Sequence, residues 1–215
     1  MNAEALYKVS RDEFGGSPSG GGQTRNENAG GAPASIGLWV FMGVVTVLFA
    51  LFLTAYAMRM DSPDWQRIAL PWQVWLSTAL LAAGSVAMQA AVRLARAGRM
   101  AGARRALRLG GLGAAAFVAS QLWAWLALQA AHVGPASNPA GSFFYLLTAT
   151  HGLHVLGGLA GWAFAAGFRG SGEGAVLRMV LCARYWHFLL AVWVVLLAAL
   201  GWLTPEIVRY ICGTA

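Results

Sequence analysis

Few side chains in this 215-residue sequence could do chemistry inside its apolar stretches. His151 and His154 stand three residues apart, on one face if that stretch is helical, and Arg184 and His187 stand close together further along. Imidazole is the commonest metal-binding side chain, so a histidine pair offered by two helices could ligate a metal or a haem iron. The same rings could instead join a hydrogen-bond network between two helices, touching a lipid headgroup or a partner subunit. They could also stay neutral, packed and bonded to backbone carbonyls. A di-haem cytochrome needs a second, well-separated pair, and none is present. The residues themselves therefore assign no catalytic, cofactor-binding or metal-ligating position. Gly152, Gly157, Gly158 and Gly161 share the stretch with His151 and His154. Gly157 and Gly161 form a GxxxG pair, which allows close helix approach and would serve packing within a bundle.

The elements that must position these residues are membrane spans. The chain is 58% apolar and 11% charged, where a soluble domain carries about 25% charge. A helix needs ~20 apolar residues to cross a ~30 Å hydrocarbon core. Five stretches meet that length: about 36–58, 68–92, 109–131, 142–168 and 179–203. The expected fold is an all-α membrane protein, a bundle of five transmembrane helices. Pro71 falls near the start of the second span, where proline is tolerated. Residues 1–35 mix charges with Gly, Ser and Asn and read as a flexible tail, with no apolar signal-peptide core before Ile36. Residues 204–215 form a short tail after the last span. By the ~1.5 Å rise per residue, His151 and His187 each lie ~13 Å deep, near the midplane.

Charge placement predicts direction. Arg93, Arg96, Arg99, Arg104, Arg105 and Arg108 crowd the loop between spans two and three with no acid among them. The positive-inside rule puts that loop in the cytoplasm, with a cytoplasmic N-terminus and a periplasmic C-terminus. The same placement makes the net charge of +7 a matter of orientation, and no nucleic-acid partner is expected. No Asp, Glu or Lys lies inside any span, so a carboxylate proton relay is missing. A small transporter is disfavoured by that lack, and by the absence of mid-span proline and of an inverted repeat. Cys182 and Cys212 fall on opposite sides of the membrane and read as unpaired thiols. Trp65, Trp72 and Trp202 lie near outer ends, where indoles favour the interface, while Trp162, Trp186 and Trp193 lie deeper, between helices or against a partner.

Two segments carry a resemblance. Gly141-Ser142-Phe143-Phe144-Tyr145-Leu146-Leu147-Thr148, followed by the HGLHV segment from His151 and then Leu156-Gly157-Gly158, resembles a signature of cytochrome c oxidase subunit III. Tyr185-Trp186-His187-Phe188 with Val192-Trp193 resembles its partner on the next span. Gly37-Leu38-Trp39-Val40-Phe41, then Leu70-Pro71 with Leu76-Ser77-Thr78, then Gln121 with Trp125, fit the family in order. The similarity runs from about Ile36 to Leu203.

The resemblance implies a non-catalytic, integral subunit III of a bacterial haem-copper terminal oxidase, fed by cytochrome c or quinol and placed in the plasma membrane. Such a subunit carries no haem or copper of its own; those cofactors sit in the partner subunits. It packs on subunit I, within a complex that includes subunit II, and holds phospholipids in a cleft, sustaining turnover and proton uptake. Five spans match the shorter bacterial form, without the helix pair that makes one arm of the cleft. His151, His154, Trp186, His187, Gly157, Gly158, Gln121 and Trp39 are the positions expected to serve structure, lipid contact or subunit contact. Two departures stand out. The family often carries Glu near Val44 and Val45, and many members carry Asp where Leu190 stands. The WHFLLAVW stretch also resembles subunit-III-like proteins associated with nitric oxide reductase, the alternative partner.

Overall fold

A computed structural model describes residues 23–136, 138–167, 170 and 172–212. The described residues form helices and turns, with no strand among them: α1 (Gln23–Arg59), α2 (Gln73–Arg96), α3 (Met100–Ala130), α4 (Pro139–Gly167), α5 (Glu173–Trp202) and the short α6 (Pro205–Cys212). Five of these are long and apolar enough to cross a membrane. The chain divides into two units, Met1–Ile36 and Gly37–Ala215. Of the first, the described part is the helix from Gln23, and the first 22 positions of the expected tail lie outside the described residues. The second holds the bundle.

The helix ends have local causes. Pro71 lacks an N–H and turns the residue before it away from helical backbone, so the chain stays irregular through it and α2 starts only at Gln73. The α2–α3 hairpin is closed by Gly98 at φ +72°, with Arg99 N–H donating back to Leu94 O at 2.9 Å. A left-handed residue is needed there, and glycine adopts it without strain. Helix α3 begins nine residues before the expected apolar run, because Ala and Arg are good helix formers even where they stand in water. Pro139 opens α4 at its first position, and Asn138 caps it, its Oδ1 accepting from Gly141 N–H at 2.7 Å. Glu173 sits in the first turn of α5, where the helix dipole favours an acid.

Helices in lipid gain little by hiding apolar faces from each other, so their contacts must come from fit and hydrogen bonds. The α2–α3 pair fits through glycine. A Cβ on Gly84 would stand 3.2 Å from Gly110 O, and one on Gly113 would stand 3.1 Å from the Gly84 Cα. The backbones there meet directly. Hydrogen bonds tie the same pair: Gln121 Nε2 donates to Ser77 Oγ at 3.2 Å, and Ser120 Oγ donates to Gln73 O at 3.2 Å. Helix α5 joins α2 through Trp193 Nε1, which donates to Thr78 Oγ1 at 2.9 Å. Helix α4 joins α3 through Trp125 Nε1 to Thr148 Oγ1 at 3.1 Å and Trp162 Nε1 to Leu107 O at 2.7 Å. Among its described side chains helix α1 buries a narrow seam, Met42, Val45, Phe49 and Tyr56, while Val40, Val44, Val47 and Leu51 face outward.

The glycine at 111 is shaped to one neighbour. A Cβ there would lie 2.1 Å from Cε2 of Trp162, so the indole occupies the space that a side chain would take. Gly111→Ala should displace Trp162, break its bond to Leu107 O and cost about 1–3 kcal/mol as overpacking. The apparent thermal midpoint of the detergent-solubilised chain should fall by several degrees. In a Trp162→Ala background the same change should cost little; an equal loss in both backgrounds would refute the clash.

Candidate functional site

The residues singled out by sequence fall into three places. The first is the centre of the bundle. The His151 ring lies against Trp193 of α5 with centroids 5.1 Å apart, against Phe117 of α3 at 5.6 Å and against Phe49 of α1 at 6.3 Å. Phe117 and Trp193 close the shell edge to face at 5.1 Å. Helix α2 enters through Thr78, which accepts the Trp193 N–H. All five long helices therefore contribute to one layer around an imidazole with 0% exposure. Neither of its ring nitrogens has a hydrogen-bond partner among the described residues.

His154, one turn on, is half-buried and faces Phe49 at 5.5 Å and Phe41 at 6.2 Å. Its Nδ1 lies 2.7 Å from Thr150 O, within its own helix. A carbonyl can only accept, so Nδ1 carries the proton in that bond. The link between α4 and α5 is made instead by Tyr185, whose Oη donates to His154 O at 3.0 Å. Gly158 makes room for that tyrosine: a Cβ there would stand 2.9 Å from Tyr185 Cε1. Trp186 is buried beside it in the core, and Gln121 serves the α2–α3 contact through Ser77. Gly157 and Gly161 behave otherwise. Added Cβ atoms would meet nothing within 4 Å, so this GxxxG pair faces out of the bundle and does not serve packing within it.

The second place is a cavity of about 560 Å³ between α1, α2 and α5, at the arginine-rich end. Trp39 and Met42 line it from α1, Gln89, Val92 and Arg96 from α2, and Val180, Ala183, Arg184, His187 and Phe188 from α5. His187 Nδ1 is 2.5 Å from Ala183 O, which leaves Nε2 as an acceptor in the neutral ring. Sequence reasoning gives His187 and Trp39 a contact role but misses Arg96 and Gln89, which look like loop charge and span filler. The third place is the outward face of α4, with Leu153, Leu156 and Phe164 exposed beside the open glycines.

Among the described residues, no three of His, Cys, Asp and Glu cluster as metal ligands would. Cys182 is a free thiol on α5, and the side chain of Cys212 lies outside the described residues. What the central histidine does can be tested by its substitutes. A buried polar group without a partner costs roughly 1–3 kcal/mol. His151→Leu removes that cost at similar volume and should hold or raise stability by about 1 kcal/mol, whereas His151→Ala leaves a hole and should cost about 2 kcal/mol or more. Chemical denaturation of the purified chain measures both. If the leucine variant loses as much as the alanine variant, the ring is holding something besides its aromatic shell.

No family model matches the chain. Among curated proteins it is similar to a probable cytochrome c oxidase subunit 3 of Nocardia farcinica, 32% identical over 161 residues, which is 71% of this chain and 77% of that protein. It is similar to a cytochrome bo(3) ubiquinol oxidase subunit 3 of Pseudomonas putida, 30% identical over 166 residues, 74% of this chain and 80% of the relative. A cytochrome c oxidase subunit 3 of Bacillus sp. PS3 matches over more of the length, 90% of this chain and 94% of the relative, at 26% identity. With five helices fit to cross a membrane and 30–32% identity across most of two such relatives, this multi-pass membrane protein belongs to the cytochrome c oxidase subunit III family.

Proposed function

We propose that this chain is the non-catalytic subunit III of a bacterial haem-copper terminal oxidase, sitting in the plasma membrane and packing on subunit I. Family membership carries the reading. The side chains support a structural role. His154 and His187 spend one ring nitrogen each on their own helix, and His151 is sealed among rings. Haem and copper belong, on this reading, to the partner subunits. The outward faces of α1 and α4 supply apolar and small-residue surface for a neighbouring helix or for lipid. Phospholipid held against these faces sustains turnover by keeping the subunit seated. The arginine-rich α2–α3 hairpin faces the cytoplasm, which places the α6 end in the periplasm.

The relatives are named for two electron donors, cytochrome c and ubiquinol, at nearly equal identity. The shared reading is therefore the oxidase complex rather than its donor. A tagged chain solubilised in a mild detergent should bring down a haem-copper catalytic subunit. Deleting the chain should leave the haem spectrum of that complex intact and shorten the number of turnovers before activity decays. Recovery of the chain as a homo-oligomer without haem-copper protein would end the proposal, as would a co-purifying nitric oxide reductase. Oxidation of cytochrome c or of quinol by the recovered complex identifies the donor.

A further inference from the structure

Leu203 and Thr204 separate the last long helix from α6. Leu203 is extended, at φ −70° and ψ 123°, which breaks the axis of α5. The short helix has start signals of its own. Thr204 Oγ1 accepts from Ile207 N–H at 3.3 Å, Pro205 takes the first helical position and Glu206 the first turn. An isolated helix shorter than ~12–15 residues is marginal in water, so one of 8 residues needs a surface to lie on. The bundle supplies little of it: the helices packed along one another are α2 with α3, α2 with α5, α3 with α4 and α4 with α5. The side chains of α6 are sorted by side. Glu206 and Arg209, three apart, are both exposed. Ile207 and Tyr210, three apart on the adjoining side, are 43% and 82% exposed. The Thr204 hydroxyl, ahead of Arg209 and Arg67, holds the Glu206 carboxyl below the usual carboxylate range, so that side stays charged and belongs in water.

What lies beside α6 follows from where it starts. The headgroup layer on each side of the hydrocarbon core is about 5–8 Å deep. Two extended residues reach at most ~7 Å, so a helix that follows a span after two residues starts inside that layer. Trp202, the last residue of α5, is 70% exposed, as an indole at the interface is. A short helix with an apolar side and a charged side, at that depth, has the make-up of an interfacial helix, whose apolar side sinks ~5–10 Å into the headgroup–acyl boundary. We propose that α6 lies in the plane of the bilayer surface at the end opposite the arginine-rich hairpin. Ile207 enters the headgroup–acyl boundary, Tyr210 sets its ring there with its hydroxyl among the headgroups, and Glu206 and Arg209 face water. The helix thereby fixes how deep the end of α5 sits.

The full chain carrying Cys182→Ala and Cys212→Ser receives a single nitroxide-labelled cysteine, by Ile207→Cys or by Arg209→Cys. Both positions are exposed, so neither label disturbs the packed helices. The chain is purified in mild detergent, with whatever protein accompanies it, and placed in phosphatidylcholine nanodiscs. Relaxation of the label by oxygen, which concentrates in lipid, and by a nickel chelate, which stays in water, reads its depth. The label at position 207 should be relaxed several-fold more by oxygen than by the chelate, and the label at position 209 several-fold more by the chelate. In detergent-free buffer with the discs replaced by an amphipathic polymer that leaves no bilayer, the contrast between the two positions should fall away.

Relaxation dominated by the chelate at both positions puts α6 in water and overturns the proposal. Protection of position 207 from both reagents shows a protein surface on that side, a partner subunit or a second copy, and overturns the lipid assignment. Relaxation dominated by oxygen at both positions sinks the whole helix into the bilayer and overturns the sorting of its sides. Co-purification with the oxidase is scored separately, so the partner reading stands or falls on its own.

Discussion

Lipid tails are as apolar as leucine, and that single fact sets how this bundle is held. Apolar side chains cannot drive the helices together, so each pair needs something that lipid cannot supply. Helices α2 and α3 use backbone approach at Gly84, Gly110 and Gly113, where no lipid chain could fit. Helix α4 joins α3, and α5 joins α2, through indole N–H donors, Trp125 to the Thr148 hydroxyl, Trp162 to Leu107 O and Trp193 to the Thr78 hydroxyl, each far more costly to leave unpaired in hydrocarbon than in water. Gly37 and Gly43 of helix α1 meet no neighbour, and this helix makes ring contacts instead, Phe41 on Tyr185 and His154, Phe49 on the two histidines, and Tyr56 on Trp65 and Phe143.

Rings touch across wider gaps than glycines do, and the cavity follows from that. Where α1 meets α2 and α5 at the arginine-rich end, no pair of small residues draws the backbones in, and Trp39 and Met42 stand across an opening from Arg96 and His187. Tight packing and open space thus sit at opposite sides of α2: glycine contact toward α3, a polar chamber toward α1. The central histidine belongs to the same logic. Val45 is buried one turn before Phe49, and Phe49 reaches both imidazoles. The family resemblance leads one to expect a glutamate near Val44 and Val45; Val45 is buried in this seam and Val44 faces outward.

The spans are legible in the sequence because a bilayer demands ~20 apolar residues in a row, and that demand is local. In the motif segments Gly158 makes room for Tyr185, His151 and Trp186 are buried, and His187 Nδ1 lies on Ala183 O. Which glycines touch is not legible. The sequence holds 27 of them, so small-residue pairs recur by chance, and nothing local says which face of a helix meets another. Gly157 and Gly161 have the familiar spacing and stand open, while Gly84 has no glycine partner in its own helix and meets two on the next. Hydropathy places the start of α2 about five residues early, at Ile68 rather than Gln73, because it ignores what proline does to the backbone before it.

The cavity is illegible for a deeper reason. Arg96 reads as one of a row of loop arginines, and a positive-inside signal explains it completely. Arg184 and His187 read as polar residues inside the fifth span, His187 near its middle. Only packing shows that α2 runs out, and α5 runs in, on the same side of α1, bringing an arginine at one helix end opposite an arginine well inside another helix. Arg96 stands in the last turn of α2, where free carbonyls favour a cation. Arg184 lies three turns into α5, beyond the reach of either helix end, and the dipole does nothing for it. The asymmetry separates the two arginines: one is favoured by the end of its own helix, and the other is not.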